Sequence, residues 1–165
     1  MLRIRYFEPK DTQDVAAVIL PIQQDEFGIA VTLEDQPDLG DIPQFYQQGC
    51  GNFWVAEYDG RIAGTIGLLD IGGKQAALRK MFVAQPFRGR EHGVAKLLLE
   101  EVFRWSASKA IAEIYLGTTD KFLAAHRFYE KNGFVEIAKP DLPGTFPVMA
   151  VDSKFYRKVL SRDDA

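Results

Sequence analysis

The chain has 165 residues, 47% of them hydrophobic and 26% charged, which suits one folded domain spanning residues 1–165 and excludes a disordered chain. Its 20 Lys and Arg against 23 Asp and Glu give a net charge of −3, the wrong sign for a broad nucleic-acid surface. Cys50 is the only cysteine and His92 and His126 the only histidines, so an intrachain disulfide and a thiolate zinc cluster are excluded and no metal site is expected.

Residues 2–7 open the chain with Leu2, Ile4 and Tyr6 alternating against Arg3 and Arg5, the period of a half-buried strand. This start is too charged for a signal peptide, and the apolar run that follows stops at Pro21, far short of a membrane span. A cytoplasmic protein without membrane contact is expected. After Pro9, Asp11 is placed to cap a helix through Val15, Val18 and Ile19. Between Gly28 and Gly51 only a short helix over residues 42–48 is legible.

Two strand patterns, residues 53–58 and 61–69, flank Asp59-Gly60. An Asp-Gly pair between such runs predicts a tight hairpin, because both turn positions need positive φ. A third strand over residues 76–83 follows Gly72-Gly73. A helix over residues 92–106 carries Val94, Leu97, Leu98, Val102 and Trp105 on one stripe. A strand at 111–116 and a helix at 121–132, stopped by Gly133, come next. Strands at 134–137 and 148–156 close the pattern, separated by a Pro- and Gly-rich stretch at 139–147 that is placed to wall a substrate pocket. Trp54 and Trp105 read as core. The order predicts an α+β, or mixed α/β, sheet with helices on its faces.

The strand–turn–helix around Arg88-Gly89-Arg90-Glu91-His92-Gly93-Val94-Ala95 is the strongest chemical feature. A helix start leaves about four amides without partners and carries roughly half a positive charge. Glycines there let a diphosphate approach the backbone, and arginines add charge-assisted bonds. Neither the GxxxxGK[ST] nor the GxGxxG spacing is present, which removes the triphosphate and dinucleotide readings.

Arg90-Glu91-His92-Gly93-Val94-Ala95 resembles the R/Q-x-x-G-x-G/A signature of GNAT acetyltransferases. Leu78-Arg79-Lys80-Met81-Phe82-Val83 resembles the strand before that signature, and Ala125-His126-Arg127-Phe128-Tyr129-Glu130-Lys131-Asn132-Gly133-Phe134 resembles the family's A-x-x-F-Y-x-K-x-G-F segment. The resemblance implies a mostly antiparallel, splayed sheet of six to seven strands with helices on both faces. It implies acetyl-CoA as the acyl donor, held by Met81, Phe82, Val83, Arg88, Gly89, Arg90, Glu91, His92, Gly93, Val94 and Ala95. It also implies transfer to a primary amine on a small molecule, a peptide N-terminus or a lysine, by direct attack on the thioester. Exposed strand edges leave a homodimer open.

An amine of pKa near 10.4 is neutral in only roughly one molecule of a few thousand at pH 7, and the departing thiolate needs a proton. Tyr129 resembles the family's acid. Related sequences carry Glu where this chain has Ala77, and Asn where it has Phe122. No base is therefore assigned, and Glu26, Asp70 and Glu91 read as solvated carboxylates. His126 reads as a helix-surface residue. The missing Glu keeps a second reading open, an acyl-CoA-binding sensor without transferase activity.

Overall fold

The structure is a computed structural model that describes residues 1–89 and 93–160. Strand β1 (Leu2–Tyr6) leads through a 3₁₀ turn into α1 (Thr12–Pro21), α2 (Pro37–Gly40) and α3 (Ile42–Phe45). The meander β2 (Asn52–Tyr58), β3 (Arg61–Gly72) and β4 (Gln75–Val83) follows. After it come α4 (Val94–Ser108), β5 (Glu113–Thr118), α5 (Leu123–Lys131), β6 (Val135–Ile137) and β7 (Lys154–Val159). One seven-stranded sheet in the order β1-β2-β3-β4-β5-β7-β6 results. Every neighbouring pair is antiparallel except β4 and β5.

The Asp-Gly hairpin forms as its chemistry demands, with Asp59 at φ 49° and Gly60 at φ 83°. Helix α5 ends in a Schellman arrangement, in which Phe134 N–H donates to Tyr129 O at 3.0 Å and Gly133 N–H to Glu130 O at 3.3 Å. Gly133 has φ 91°, so Gly133→Ala is expected to cost about 1 kcal/mol and lower the thermal midpoint by about 2–4 °C. An unchanged melting curve would show that this turn relaxes without penalty.

Several boundaries differ from the sequence pattern. Asp11 does not cap α1. Its carboxylate takes both Arg5 guanidinium nitrogens, at 2.8 and 2.9 Å, and the Glu8 N–H at 2.9 Å. That pairing largely buries Arg5, while Tyr6 keeps to the other face of β1 beside Trp54 and Trp105 at 53% exposure, so the alternation holds. The helix also runs on past Pro21 as a π-turn over Ile22–Glu26. Proline lacks the N–H for an i→i−4 bond, and the wider turn, with Phe27 N–H reaching Ile22 O, accommodates it. In α4 the buried stripe follows Val94, Leu98 and Val102 with Leu99, so Leu97 faces out at 40% exposure. The expected strand at 148–156 lies later, at Lys154–Val159, and residues 148–153 form a loop.

The sheet separates two apolar layers. Under α4 and α5 lie Trp54, Ile66, Leu68, Leu98, Ile114 and Leu116. On the other face Val15, Ile19, Leu39, Ile42, Tyr46 and Phe53 pack beneath α1 to α3. Ala77, Tyr115, Phe146 and Phe155 continue that second face across the sheet. Trp105 is only partly buried, and its indole N–H donates to Cys50 O at 2.8 Å.

Candidate active site

Strands β4 and β5 hold together over three residue pairs only, Gln75↔Glu113, Ala76↔Ile114 and Ala77↔Tyr115. Beyond them β5 pairs with β7 alone, and residues 78–83 of β4 have no strand on that side. The sheet therefore opens into a V. A cavity of about 520 Å³ fills the opening, lined by Leu78 to Val83 on one wall and Leu116 to Thr119 on the other.

A bulge shapes the β4 wall. Its register with β3 slips between Gly67↔Arg79 and Thr65↔Phe82. Lys80 takes the left-handed conformation there, at φ 56°, and its carbonyl accepts the Thr65 hydroxyl at 2.7 Å. A non-glycine residue in this region is strained, so the surrounding contacts hold it in place. The bulge re-aims the backbone of Met81, Phe82 and Val83, all three of which line the cavity.

The cavity reaches both faces of the sheet. On the α5 face the turn after β4 carries Gly89 at φ 113°, with open space where a Cβ would stand. Gly93, at φ 61°, is the N-cap of α4 and has no side chain to cap it, and among the described residues no side chain accepts from the amides of Val94 and Ala95. Arg90, Glu91 and His92 lie outside the described residues. Arg88 folds back, donating from Nε to Val83 O at 2.8 Å and forming a two-pronged pair with the Glu26 carboxylate. Glu26 is thus no freely solvated carboxylate, and the Arg88 hydrogen bond holds its pKa below the usual value. Phe122 meets Phe27 edge-on at 4.5 Å and approaches Phe82 at 6.3 Å, placing apolar rings across the V.

Tyr129 stands on the α5 face, 7% exposed, against Phe134 and Tyr156. It lines the cavity, and no described residue hydrogen-bonds its hydroxyl. Burial raises its pKa well above the usual phenol value, so it keeps its proton across neutral pH. His126 does not sit on the surface: it is 7% exposed, with Nε2 2.9 Å from Thr119 O, because this turn of α5 faces β7.

The opposite face carries a charged group that the strand reading of 148–156 concealed. Asp152 lines the cavity, with Oδ2 accepting the Met149 N–H at 2.9 Å and lying 2.6 Å from where a Cβ on Gly117 would stand. Burial raises its pKa, although the Met149 amide and the fields of Arg79 and Lys80 offset part of that. Ala77 is fully buried in β4 and supplies no proton acceptor. The one sequence hint was an Asp-Ser pair, poor strand formers, inside the supposed strand. From the Pro-rich stretch, Phe146 and Pro147 line the cavity.

A seven-stranded sheet opened between its two parallel strands, with a helix that starts after Gly93 beside the opening, is the architecture of the acetyltransferase class of α/β folds. Residues 17–134 match the acetyltransferase (GNAT) family, and the chain belongs to it. It is similar to a probable N-acetyltransferase family 8 member 5 of Mus musculus, 34% identical over 109 residues that cover 63% of this chain and 47% of that one. It is also similar to the N-acetylaspartate synthetase of Homo sapiens, 35% identical over 112 residues, covering 65% of this chain and 36% of that one. This chain thus spans less than half the length of these relatives. A crystal structure of a GNAT-family acetyltransferase from Staphylococcus aureus Mu50 superimposes with a TM-score of 0.94 at 39% identity, covering 98% of this chain and all of that one. Among the described residues no cluster of three or more His, Cys, Asp or Glu could hold a metal ion, and no helix is long and apolar enough to cross a membrane.

Proposed function

We propose that the chain is an N-acetyltransferase that moves an acetyl group from acetyl-CoA to a primary amine by direct attack on the thioester. The observation that carries this reading is the V between β4 and β5, open to both faces, with Tyr129 on one and Asp152 on the other. The unpaired edge at residues 81–83 would bond the donor's pantetheine arm as a missing strand. Gly89, Gly93, Val94 and Ala95, with Arg90, Glu91 and His92 between them, would receive its diphosphate, and Arg88 would order the turn through Glu26.

Asp152 would take one proton from the acceptor's ammonium, leaving a neutral amine to attack the carbonyl carbon. The new C–N bond forms as the C–S bond breaks. Tyr129 donates its proton to the leaving sulfur and recovers one from solvent, while the second proton of the former ammonium departs as the amide forms. A phenol held protonated and a carboxylate of raised pKa are matched to these tasks.

The sensor reading keeps the same donor site and omits the chemistry; Ala77 in place of a carboxylate is what favours it. Titration calorimetry with acetyl-CoA is expected to give saturable heat, and the absence of any would overturn both readings. Release of free thiol across an amine panel separates them, since a sensor releases none.

A further inference from the structure

We propose that the acceptor is a free amino acid, whose carboxylate is read by Arg79 while its ammonium faces Asp152; this rests on the transferase reading above. Arg79 follows the last paired residues of β4 and lines the cavity on the face that carries Asp152. It is half-buried, and no carboxylate lies within 4 Å of its guanidinium among the described residues. Its neighbours are the Met149 sulfur, 3.4 Å from Nη2, and the face of the Tyr46 ring, 5.9 Å away. A thioether and a ring face leave most of its five N–H donors without an acceptor.

The adjacent cation is spent. Lys80 donates to Gln36 Oε1 and sits 3.6 Å from Asp38, whose other contact is the Tyr46 hydroxyl at 2.5 Å. Gln36 is locked in turn to Gln23 by two reciprocal amide hydrogen bonds. This buried network fixes Tyr46, and so the platform under Arg79, without neutralising Arg79 itself. Asp152 is the one carboxylate among the described lining residues. Its Oδ2 is occupied by the Met149 amide, and its Oδ1 has no hydrogen-bond partner among the described residues.

A guanidinium and a carboxylate therefore border one pocket within each other's field, yet make no ion pair. A zwitterion complements both, with its carboxylate taking the planar fork of Arg79 and its ammonium placed at the proton acceptor. Ile29, Val31, Phe146, Met149 and Val151 form the remaining wall and suit an apolar side chain. A peptide N-terminus or a protein-bound lysine has no carboxylate beside its amine and leaves Arg79 unanswered.

The test measures thiol release from acetyl-CoA with the twenty amino acids, their carboxamides and their decarboxylated amines, which keep the nucleophile and change only the carboxylate. The best amino acid is expected to exceed its amide and its amine by at least about tenfold in kcat/KM. Arg79→Gln should erase that gap by raising KM for the acid, leaving the Kd of acetyl-CoA unchanged. Arg79→Lys, which keeps the charge without the fork, should fall between. Amides or amines used as well as the acids, a preference that survives Arg79→Gln in a variant of unchanged thermal midpoint, or acetyl-CoA binding with no amino acid turned over would each overturn the assignment. Absence of acetyl-CoA binding would overturn the transferase reading with it.

Discussion

Tyr129→Phe is expected to lower kcat by about 10²-fold or more while leaving the Kd of acetyl-CoA and the thermal midpoint nearly unchanged. The separation follows from the hydroxyl's surroundings. It has no hydrogen-bond partner among the described residues, so removing it leaves no partner orphaned, and the ring keeps its contacts with Phe134 and Tyr156. Tyr129 lines the cavity, where its hydroxyl is free to donate to a departing thiolate. Burial raises its pKa, so the wild-type enzyme should show no alkaline fall in rate from this group below the usual phenol value near 10. The defect should also depend on the leaving group. With an activated aryl thioester, whose thiolate departs without a proton, the gap between Tyr129→Phe and wild type should narrow. An equal loss with both donors would assign Tyr129 a packing role.

The fold was legible wherever a local rule and the tertiary arrangement agreed. Asp59-Gly60 dictates its turn, the alternating strands form the meander, and Gly133 stops α5 through its positive φ. Misreadings fell where a long-range contact overrode the local signal. Arg5 takes Asp11 away from the cap, β7 buries His126, and the loop at 148–153 folds back on Met149 and Asp152 before β7 begins. The stretch proposed to hold the donor shows in the sequence because its glycines and helix start are contiguous there. The proposed acceptor side does not, because Gln23, Gln36, Lys80 and Asp152 come together only when the π-turn after α1, the segment before α2, β4 and the loop before β7 pack together.

Asp152→Asn is expected to lower kcat/KM about 100-fold near neutral pH and to remove the acid limb of the pH profile. Only ionised Asp152 accepts a proton, so the wild-type rate should fall as pH drops through its pKa, which burial holds above the usual carboxylate value. Asparagine keeps an oxygen for the Met149 amide and nearly the same volume, so the loop should hold. As pH rises toward the acceptor's own pKa, the amine arrives already neutral and the variant's deficit should shrink steadily. A constant deficit at all pH values would instead mark a binding or structural role. Stability should move the opposite way from activity. A carboxyl whose folded pKa is raised above its unfolded value stabilises the fold while protonated and loses that contribution as pH rises through the unfolded and folded values. At neutral pH the ionised side chain is therefore a burden on the fold, and Asp152→Asn should melt no lower than wild type. Gly117→Ala gives an independent check: the added Cβ would fall 2.6 Å from Asp152 Oδ2, so the carboxylate must shift, and activity should drop with the side chain intact. Loss of rate without loss of stability in Asp152→Asn is the pattern of a group kept at a cost for the chemistry it performs.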